Sequence, residues 1–286
     1  MILKDYKKHF LSELEGQYPE TETLSFFNLL AEDILGFSRV DIVMEANSEI
    51  NDAQLIKWQH ALEDLKTYRP LQYIIGSTEF YSLPFNLNKH TLIPRPETEE
   101  LVAWILESVT DKQEKISILD IGTGSGCIAI SLAKNLVNAQ VTAYDISEEA
   151  LIIARSNAIL NNVSVTFKLM DILTATTLAQ KFDIIVSNPP YVRDLEKKEI
   201  QKNVLEHEPH TALFVADNEP LIFYDKITAL AKNHLKPTGR LFFEINQYLG
   251  KETKTLVQKY GFKEVTLKKD IFNADRMLGA KLVNGE

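Results

Sequence analysis

The segment Phe182–Tyr191 reads FDIIVSNPPY, an apolar run that ends in an amide, two prolines and a tyrosine. Valine and isoleucine favour a buried strand, whereas proline has no N–H group and cannot extend a sheet. A residue before proline is restricted to extended backbone, so we expect Asn188 to stand rigidly at the carboxyl end of the strand. Ligands of open α/β sheets bind at that end. The same residues could otherwise form only a turn, since Asn and Pro are common in turns.

Strand and helix patterns alternate on both sides of this segment. Apolar strands are predicted at residues 116–121, 140–144, 163–169, 181–187 and 239–245, and two more, joined by a loop, at 262–268 and 277–283. Alternation of this kind predicts a mostly parallel sheet of seven strands with helices on both faces. The loop connection of the last two strands predicts an antiparallel edge.

The first part of the chain has a different pattern. Up to about residue 70, apolar residues recur at three- and four-residue spacings, which predicts a small bundle of amphipathic helices. Residues 71–93 alternate apolar and polar side chains around turn formers, which predicts a β-hairpin linker. We therefore expect a helical domain over 1–70, a linker over 71–93 and an α/β domain over 94–286.

The composition is that of an ordinary globular protein. The chain has 286 residues, 45% of them hydrophobic and 25% charged, and a net charge of −9 that argues against a broad nucleic-acid-binding face. The single cysteine, Cys127, excludes an internal disulfide, and no His or Cys spacing predicts a metal site. The amino terminus lacks the apolar core of a signal peptide, and no apolar run approaches ~18 residues. We expect a cytoplasmic protein that binds neither metal nor membrane.

A glycine-rich loop follows the first strand of the alternating region and opens a helix. The run Asp120–Gly126 reads DIGTGSG. A dinucleotide fingerprint would need glycine at position 127, where the chain has cysteine, and no P-loop lysine is present. The pattern favours a nucleoside cofactor without a pyrophosphate, with S-adenosyl-L-methionine as the leading candidate. The candidate cofactor-binding residues of the loop are Gly122, Thr123, Gly124, Ser125 and Gly126.

Acidic residues also end the next two predicted strands. Asp145 lies about 20 residues past the glycines, where a carboxylate can accept both ribose hydroxyls. It could otherwise cap the helix that follows Ser147. Asp171 could accept a hydrogen bond from an adenine amino group while Ile172 packs on the ring. With Asp120, three acidic strand ends around one glycine loop favour a cofactor site.

Several stretches together resemble the HemK/PrmC family of release-factor glutamine methyltransferases. The shared stretches are PLQYI at 70–74, LIPRPETE at 92–99, DIGTGSGCIA at 120–129, NPPY at 188–191 and EP at 208–209. The IPRPETE stretch makes the resemblance specific, because an NPPY corner is shared with enzymes that methylate adenine in nucleic acid. By themselves, Arg95 and Glu97 of that stretch are equally consistent with a solvated helix entry.

The resemblance implies a class I, Rossmann-like S-adenosylmethionine-dependent methyltransferase domain, preceded by a small helical domain that recognises the substrate. It implies methylation of the side-chain amide nitrogen, N5, of the glutamine in the Gly-Gly-Gln motif of class I peptide chain release factors. S-adenosyl-L-homocysteine would be the product. The resemblance assigns the cofactor to Gly122–Gly126, Asp145, Asp171, Ile172 and Asn188, and the glutamine to Asn188, Pro189, Pro190 and Tyr191. We expect a monomer without direct nucleic-acid contacts.

The chemistry of the corner agrees with this assignment. An amide nitrogen is a poor nucleophile because its lone pair is delocalised into the carbonyl. The Asn188 side-chain oxygen and the Pro189 carbonyl can hold its two N–H groups and aim the lone pair, while Tyr191 offers a flat face. An adenine-N6 methyltransferase acting on DNA or RNA would use the same grip, but it would also need a basic groove. A third hypothesis is a non-catalytic protein that binds a translation factor through the helical domain.

Overall fold

The computed structural model describes residues 1–282, so Val283, the last residue of the predicted strand 277–283, lies outside the described residues. The chain divides into two compact units. Residues 1–76 and 201–207 form the first unit, and residues 77–200 with the chain from 208 onward form the second. The chain therefore returns to the first unit for seven residues shortly after the NPPY stretch.

Helices occur in both units and strands mainly in the second. The helices are α1 (Leu3–Glu13), α2 (Glu20–Leu35), α3 (Arg39–Met44), α4 (Asp52–Lys66), α5 (Leu71–Ile75), α6 (Pro96–Ser108), α7 (Cys127–Asn135), α8 (Glu148–Leu160), α9 (Lys202–His207), α10 (His210–Leu213), α11 (Ile222–His234) and α12 (Gly250–Lys259). The strands are β1 (Ser77–Phe80), β2 (Leu83–Asn86), β3 (Ser117–Ile121), β4 (Gln140–Asp145), β5 (Val165–Leu169), β6 (Phe182–Ser187), β7 (Val192–Arg193), β8 (Phe214–Val215), β9 (Leu235–Glu244), β10 (Lys263–Lys269) and β11 (Asp275–Lys281).

The predicted helices of residues 1–70 are confirmed. Ser38 and Asn51 begin α3 and α4 with capping boxes, in which the cap side chain accepts a backbone N–H three residues on. The apolar faces of the helices meet in one core, where the rings of Phe27 and Trp58 stack with 4.8 Å between their centroids.

The hairpin is shorter than the predicted range 71–93. Residues 71–75 form α5, because the helical turn follows Pro70 and ends at Gly76, whose φ of 83° is left-handed. The alternation of apolar and polar residues predicts a hairpin from residue 71 onward, but one helical turn lets Leu71 pack in the core of the first unit. Strands β1 and β2 form the hairpin itself, and Phe80 and Phe85 are buried in a core of the second unit.

The second unit is built on a seven-stranded sheet with the order β10-β11-β9-β6-β3-β4-β5. Strands β3, β4, β5, β6 and β9 pair in parallel, and β11 is antiparallel to both β9 and β10. The predicted mostly parallel sheet of seven strands is confirmed, and so is the antiparallel pair. Buried apolar clusters lie on both faces, with α6 and α7 in one cluster and α11 and α12 in the other.

The sheet brings the ends of distant sequence segments to one edge. In the registers of β3, Ile121 lies opposite Tyr144 of β4 and Ser187 of β6. Ser187 in turn lies opposite Phe243 of β9. Because these strands are parallel, their carboxyl ends share an edge, and the segments that follow them are neighbours. Within residues 1–282 no helix combines the length and apolar character needed to cross a bilayer.

Candidate active site

The glycine loop after β3 exposes backbone and buries side chains. Gly122, Gly124 and Gly126 have φ angles of 75°, 55° and 85°, a region that side-chain-bearing residues rarely adopt. Gly122 is exposed and Gly124 half-buried, whereas the side chains of Thr123 and Ser125 are buried. A Cβ at Gly124 would have nothing within 4 Å. The loop therefore offers an open backbone surface, and Thr123 and Ser125 can reach a ligand there only through their backbone.

A buried carboxylate lies directly under this loop. Asp120 is 0% exposed, and its Oδ2 accepts a 2.6 Å hydrogen bond from Thr123 Oγ1. Its Oδ1 has no hydrogen-bond partner among the described residues. Burial raises the pKa of Asp120 to about 7, with Asp145 adding to the shift and the Thr123 hydrogen bond opposing it. A buried carboxylate oxygen without a partner is costly in its charged form, which is why the pKa of Asp120 is raised.

Asp145, at the end of β4, is tied to the same loop. Its Oδ2 accepts from Gly124 N at 2.8 Å, and its Oδ1 accepts from Ser147 N at 2.9 Å. Asp145 thus also contacts the start of α8, as the alternative role predicted. The helix cap itself is Ser147, whose side chain accepts a hydrogen bond from Ala150 N. Burial raises the pKa of Asp145, and the backbone hydrogen bonds oppose that shift. Each carboxylate oxygen keeps a further lone pair for another donor.

Asp171 and Ile172 follow β5 and lie beside this acid. Met170 N donates to Asp145 O at 2.8 Å, which joins the ends of β4 and β5. Asp171 is half-buried, and its Oδ1 accepts from Leu173 N at 2.9 Å. Ile172 is only 7% exposed and packs in the core with Tyr144, so little of its side chain is left for a ligand ring.

The NPPY corner follows β6 and is next to the glycine loop, since a Cβ at Gly122 would lie 3.9 Å from Asn188 O. Asn188 is half-buried and donates from Nδ2 to Thr98 Oγ1 at 3.3 Å. Among the described residues, neither Asn188 Oδ1 nor the Pro189 carbonyl accepts a hydrogen bond. Two acceptors are thus available at the corner to donors of a bound molecule.

A second buried carboxylate lies under the corner. Glu244, the last residue of β9, is 1% exposed. Its Oε2 accepts from Thr98 Oγ1 at 2.6 Å, and its Oε1 accepts from Tyr191 OH at 3.0 Å. Burial raises the pKa of Glu244, while the two hydrogen bonds and the nearby charge of Arg276 oppose the shift. Burial and the neighbouring Glu244 also raise the pKa of Tyr191, so its hydroxyl stays protonated.

The PRPETE stretch, residues 94–99, is held by Glu208 at its start and bonds to the corner through Thr98. Arg95 donates to the buried Glu208 at 2.5 Å, and Ile93 N donates to the other oxygen of that carboxylate at 3.2 Å. The guanidinium of Arg95 is thus paired with a buried carboxylate, although 33% of its side chain stays exposed. Thr98, three residues on, lies in the first turn of α6 and is 2% exposed.

The structure thus gathers the sequence-predicted residues at one edge of the sheet, with the loop, Asp145 and Asp171 at one end and Asn188–Tyr191 at the other. Sequence reasoning missed Glu244 and the contact of Thr98. The available signal was an acidic residue in the apolar run Phe242–Ile245, which ends the strand next to β6. Within residues 1–282 no group of three or more His, Cys, Asp or Glu side chains is arranged to hold a metal ion.

Comparison with known proteins agrees with this arrangement. Residues 101–213 match the family described as methyltransferase small domain, and residues 6–76 match the PrmC N-terminal domain. Among solved structures, a methyltransferase from Pyrococcus furiosus is similar with a TM-score of 0.51 over 81% of this chain and 98% of that chain. At 19% sequence identity, that similarity shows the fold alone.

Two curated relatives cover nearly the whole chain. The release factor glutamine methyltransferase of Flavobacterium psychrophilum is 55% identical over 97% of this chain and 98% of its own length. The protein of the same name from Bacteroides thetaiotaomicron is 43% identical over 93% of this chain and 95% of its own length. Identity of this extent includes both units and the whole site edge, and the chain therefore belongs to the release factor glutamine methyltransferase family.

Proposed function

We propose that this chain transfers a methyl group from S-adenosyl-L-methionine to the side-chain amide nitrogen of the glutamine in the Gly-Gly-Gln motif of class I peptide chain release factors. The observation that carries the proposal is the pair of unoccupied acceptors at the corner, Asn188 Oδ1 and the Pro189 carbonyl, beside an open glycine loop. Family membership supports it, as both relatives described above bear the name of this activity. Within this proposal the helical unit recognises the release factor, and the enzyme acts in the cytoplasm.

The residues at the glycine loop fit the proposed cofactor. Asp120 is 0% exposed beneath the loop, so it would act on the cationic groups of the cofactor through its charge and not by direct contact. The ribose hydroxyls of the cofactor match Asp145, which has lone pairs to spare after its two backbone bonds. The open side of Gly124 leaves room for close approach of a ligand. When bound, S-adenosylmethionine supplies an electrophilic methyl group on a sulfonium, with S-adenosylhomocysteine as the product.

The corner residues orient the nucleophile. Asn188 Oδ1 and the Pro189 carbonyl each accept one N–H of the glutamine amide, which turns the nitrogen lone pair toward the glycine loop. Holding reactants in a productive geometry can contribute up to roughly 7–11 kcal/mol in ideal cases. Pro189 and Pro190 keep the backbone of the corner rigid, so little freedom is lost when the amide binds.

Tyr191 contributes its ring and not a base. Its hydroxyl donates to Glu244 and keeps its proton, because burial and the adjacent carboxylate raise its pKa. Glu244 is itself engaged by two donors and is buried. The corner therefore grips and aligns the amide, and the proton leaves to solvent after the methyl group has been transferred.

The experiment is a transfer assay with S-adenosylmethionine labelled in the methyl group. Purified class I release factor is offered in one reaction, and duplex or single-stranded nucleic acid in parallel reactions. We expect label in the release factor alone. Label in nucleic acid alone would replace the proposal with adenine methylation, and cofactor binding without any transfer would favour a non-catalytic binding protein.

A further inference from the structure

The hydrogen bonds under the corner form a chain with a defined direction. Asn188 Nδ2 donates to Thr98 Oγ1, and Thr98 Oγ1 donates to Glu244 Oε2. A threonine hydroxyl has a single proton, and in the structure that proton is donated to Glu244 Oε2. Thr98 can then only accept from Asn188. The carboxylate at the end of β9 thus determines, through one threonine, which end of the Asn188 amide faces the Thr98 hydroxyl.

The direction matters because an asparagine side chain has two chemically opposite ends. With Nδ2 turned to Thr98, Oδ1 is left without a partner among the described residues and can accept an N–H group. A flipped amide would present N–H groups to the N–H groups of the substrate, which repel each other. The two ends of a carboxamide have nearly the same shape, so packing alone does not distinguish the two orientations and the hydrogen bonds must do so.

The same carboxylate also holds the other end of the corner. Glu244 Oε1 accepts from Tyr191 OH at 3.0 Å, so Glu244 is bonded to both sides of the NPPY corner. Thr98 comes from the first turn of α6, where Pro96 occupies the start of the helix. Thr98 thus links the PRPETE stretch, on a helix of the same unit, to the NPPY corner.

Resting on the proposed function, we propose that Thr98 and Glu244 are positioning residues that lock the Asn188 carboxamide with Oδ1 toward the glutamine amide. Neither residue has to touch the reacting atoms. Their role is to fix, before the substrate binds, which end of the Asn188 carboxamide faces the glutamine amide. The proposed cofactor site is formed mainly by the glycine loop and Asp145, so cofactor affinity should depend little on Thr98 and Glu244.

The test compares two substitutions of threonine by valine. Thr98→Val removes the hydroxyl that links Asn188 to Glu244. Thr228→Val makes the same change at a threonine of α11 that is 0% exposed and whose hydroxyl has no partner among the described residues. Thr98→Ser keeps the hydroxyl and serves as the conservative rescue. The readouts are the single-turnover rate of release-factor methylation and the dissociation constant of S-adenosylmethionine by calorimetry.

We expect Thr98→Val to lower the single-turnover rate on the order of 10- to 100-fold, less than the roughly 100- to 1000-fold loss when a preorganised group in contact with the reacting atoms is removed. Thr98→Ser should recover most of the rate, Thr228→Val should match the wild type, and cofactor affinity should stay within about threefold in all three. A Thr98→Val rate equal to that of Thr228→Val would overturn the proposal. So would an equal loss in Thr98→Ser and Thr98→Val, or a loss that appears only as weaker cofactor binding.

Glu244→Gln provides an independent second variant. It keeps the shape of the side chain but adds a donor that competes for the Thr98 or Tyr191 oxygen. We expect a rate loss comparable to that of Thr98→Val, and in the double variant a combined loss smaller than the product of the two, since both act on one chain of bonds. If the rate loss of the double variant equalled the product of the two single losses, Thr98 and Glu244 would act independently, which would contradict the proposal. A wild-type chain that methylates no release factor would defeat the proposed function itself, which is a different outcome from any of these.

Discussion

Two regions meet at the carboxyl edge of the sheet, and each lies on a buried carboxylate. Under the glycine loop, Asp120 has one oxygen bonded to Thr123 and the other without a partner among the described residues. Under the NPPY corner, Glu244 has both oxygens bonded, to Thr98 and Tyr191. Under our proposal we therefore expect ligand binding to change the surroundings of the glycine loop more than those of the corner, whose carboxylate is already fully bonded. The loop should therefore govern binding and stability, and the corner should govern rate.

The largest effect is expected at the corner. Asn188→Ala should remove ~2–4 kcal/mol of transition-state stabilisation, because one of the two acceptors for the glutamine amide is lost. Single-turnover methylation of release factor measures the loss. Asn138→Ala is a suitable control, since Asn138 is exposed and precedes β4 at the opposite edge of the sheet. If Asn188→Ala turned over like the control, the corner would not hold the nucleophile.

The next effect concerns the pH dependence of stability through Asp120. Burial raises its pKa from 3.8 to about 7, so the folded state holds this proton more tightly than the unfolded state does. The resulting stability is full below pH ~4 and is lost as the pH rises toward about 7. The side chain of Asp120→Asn does not titrate, so this variant should not lose stability over that pH range.

Denaturant unfolding of the ligand-free protein at pH 5 and pH 8 measures this difference. Nearly two pH units of the interval lie below the folded pKa of about 7, so we expect Asp120→Asn to gain roughly 2.5–3 kcal/mol on the wild type, since one pKa unit corresponds to about 1.4 kcal/mol. Parallel pH profiles for the two proteins would mean that Asp120 has an ordinary pKa, and the contrast with Glu244 would weaken.

A smaller effect is expected for Asp145, which we assign to the ribose. Asp145→Ala should weaken binding of S-adenosylmethionine roughly 10- to 30-fold, because hydrogen bonds to a charged group contribute about 1.5–3 kcal/mol and part is recovered from water. The rate at saturating cofactor should change much less than in Asn188→Ala. Calorimetry gives the affinity, and an unaltered dissociation constant would remove Asp145 from the cofactor site.

The smallest expected effect is a difference in stability between alanine substitutions at two glycines of the loop. Both Gly124 and Gly126 have positive φ, but a Cβ at Gly126 would lie 2.8 Å from Ile130 Cδ1 and 3.2 Å from Ala154 Cβ, whereas at Gly124 it meets nothing. Gly126→Ala should therefore cost about 1 kcal/mol more stability than Gly124→Ala. Gly124→Ala should have the larger effect on cofactor affinity. The reverse ranking in unfolding and binding experiments would show that the open side of Gly124 does not face the ligand.

Site residues that belong to contiguous motifs could be predicted from the sequence, whereas those that depend on tertiary contacts could not. The glycine loop, Asp145 and the NPPY corner are contiguous motifs at predicted strand ends, so parallel pairing alone brought them to one edge. Glu244 could not be found in this way, because its contacts depend on the register of β9 against β6 and on a side chain from α6. Ile172 was expected to face a ligand ring, yet it is buried in the core, since a strand-end motif does not specify side-chain direction. The helix at 71–75 was missed for a similar reason, since the packing of Leu71 in the helical core prevails over the local alternation of apolar and polar residues.

The most direct measurement is the position of the methyl group on the substrate. Release factor incubated with this chain and S-adenosylmethionine is digested, and the fragment masses are compared with those of a release factor whose Gly-Gly-Gln glutamine is replaced by glutamate. We predict the mass of one added methyl group on the fragment with the native glutamine, assigned by fragmentation to its side chain, and none on the replaced one. A methyl group elsewhere on the protein, or equal transfer to both release factors, would contradict the proposed grip of the amide by Asn188 and Pro189.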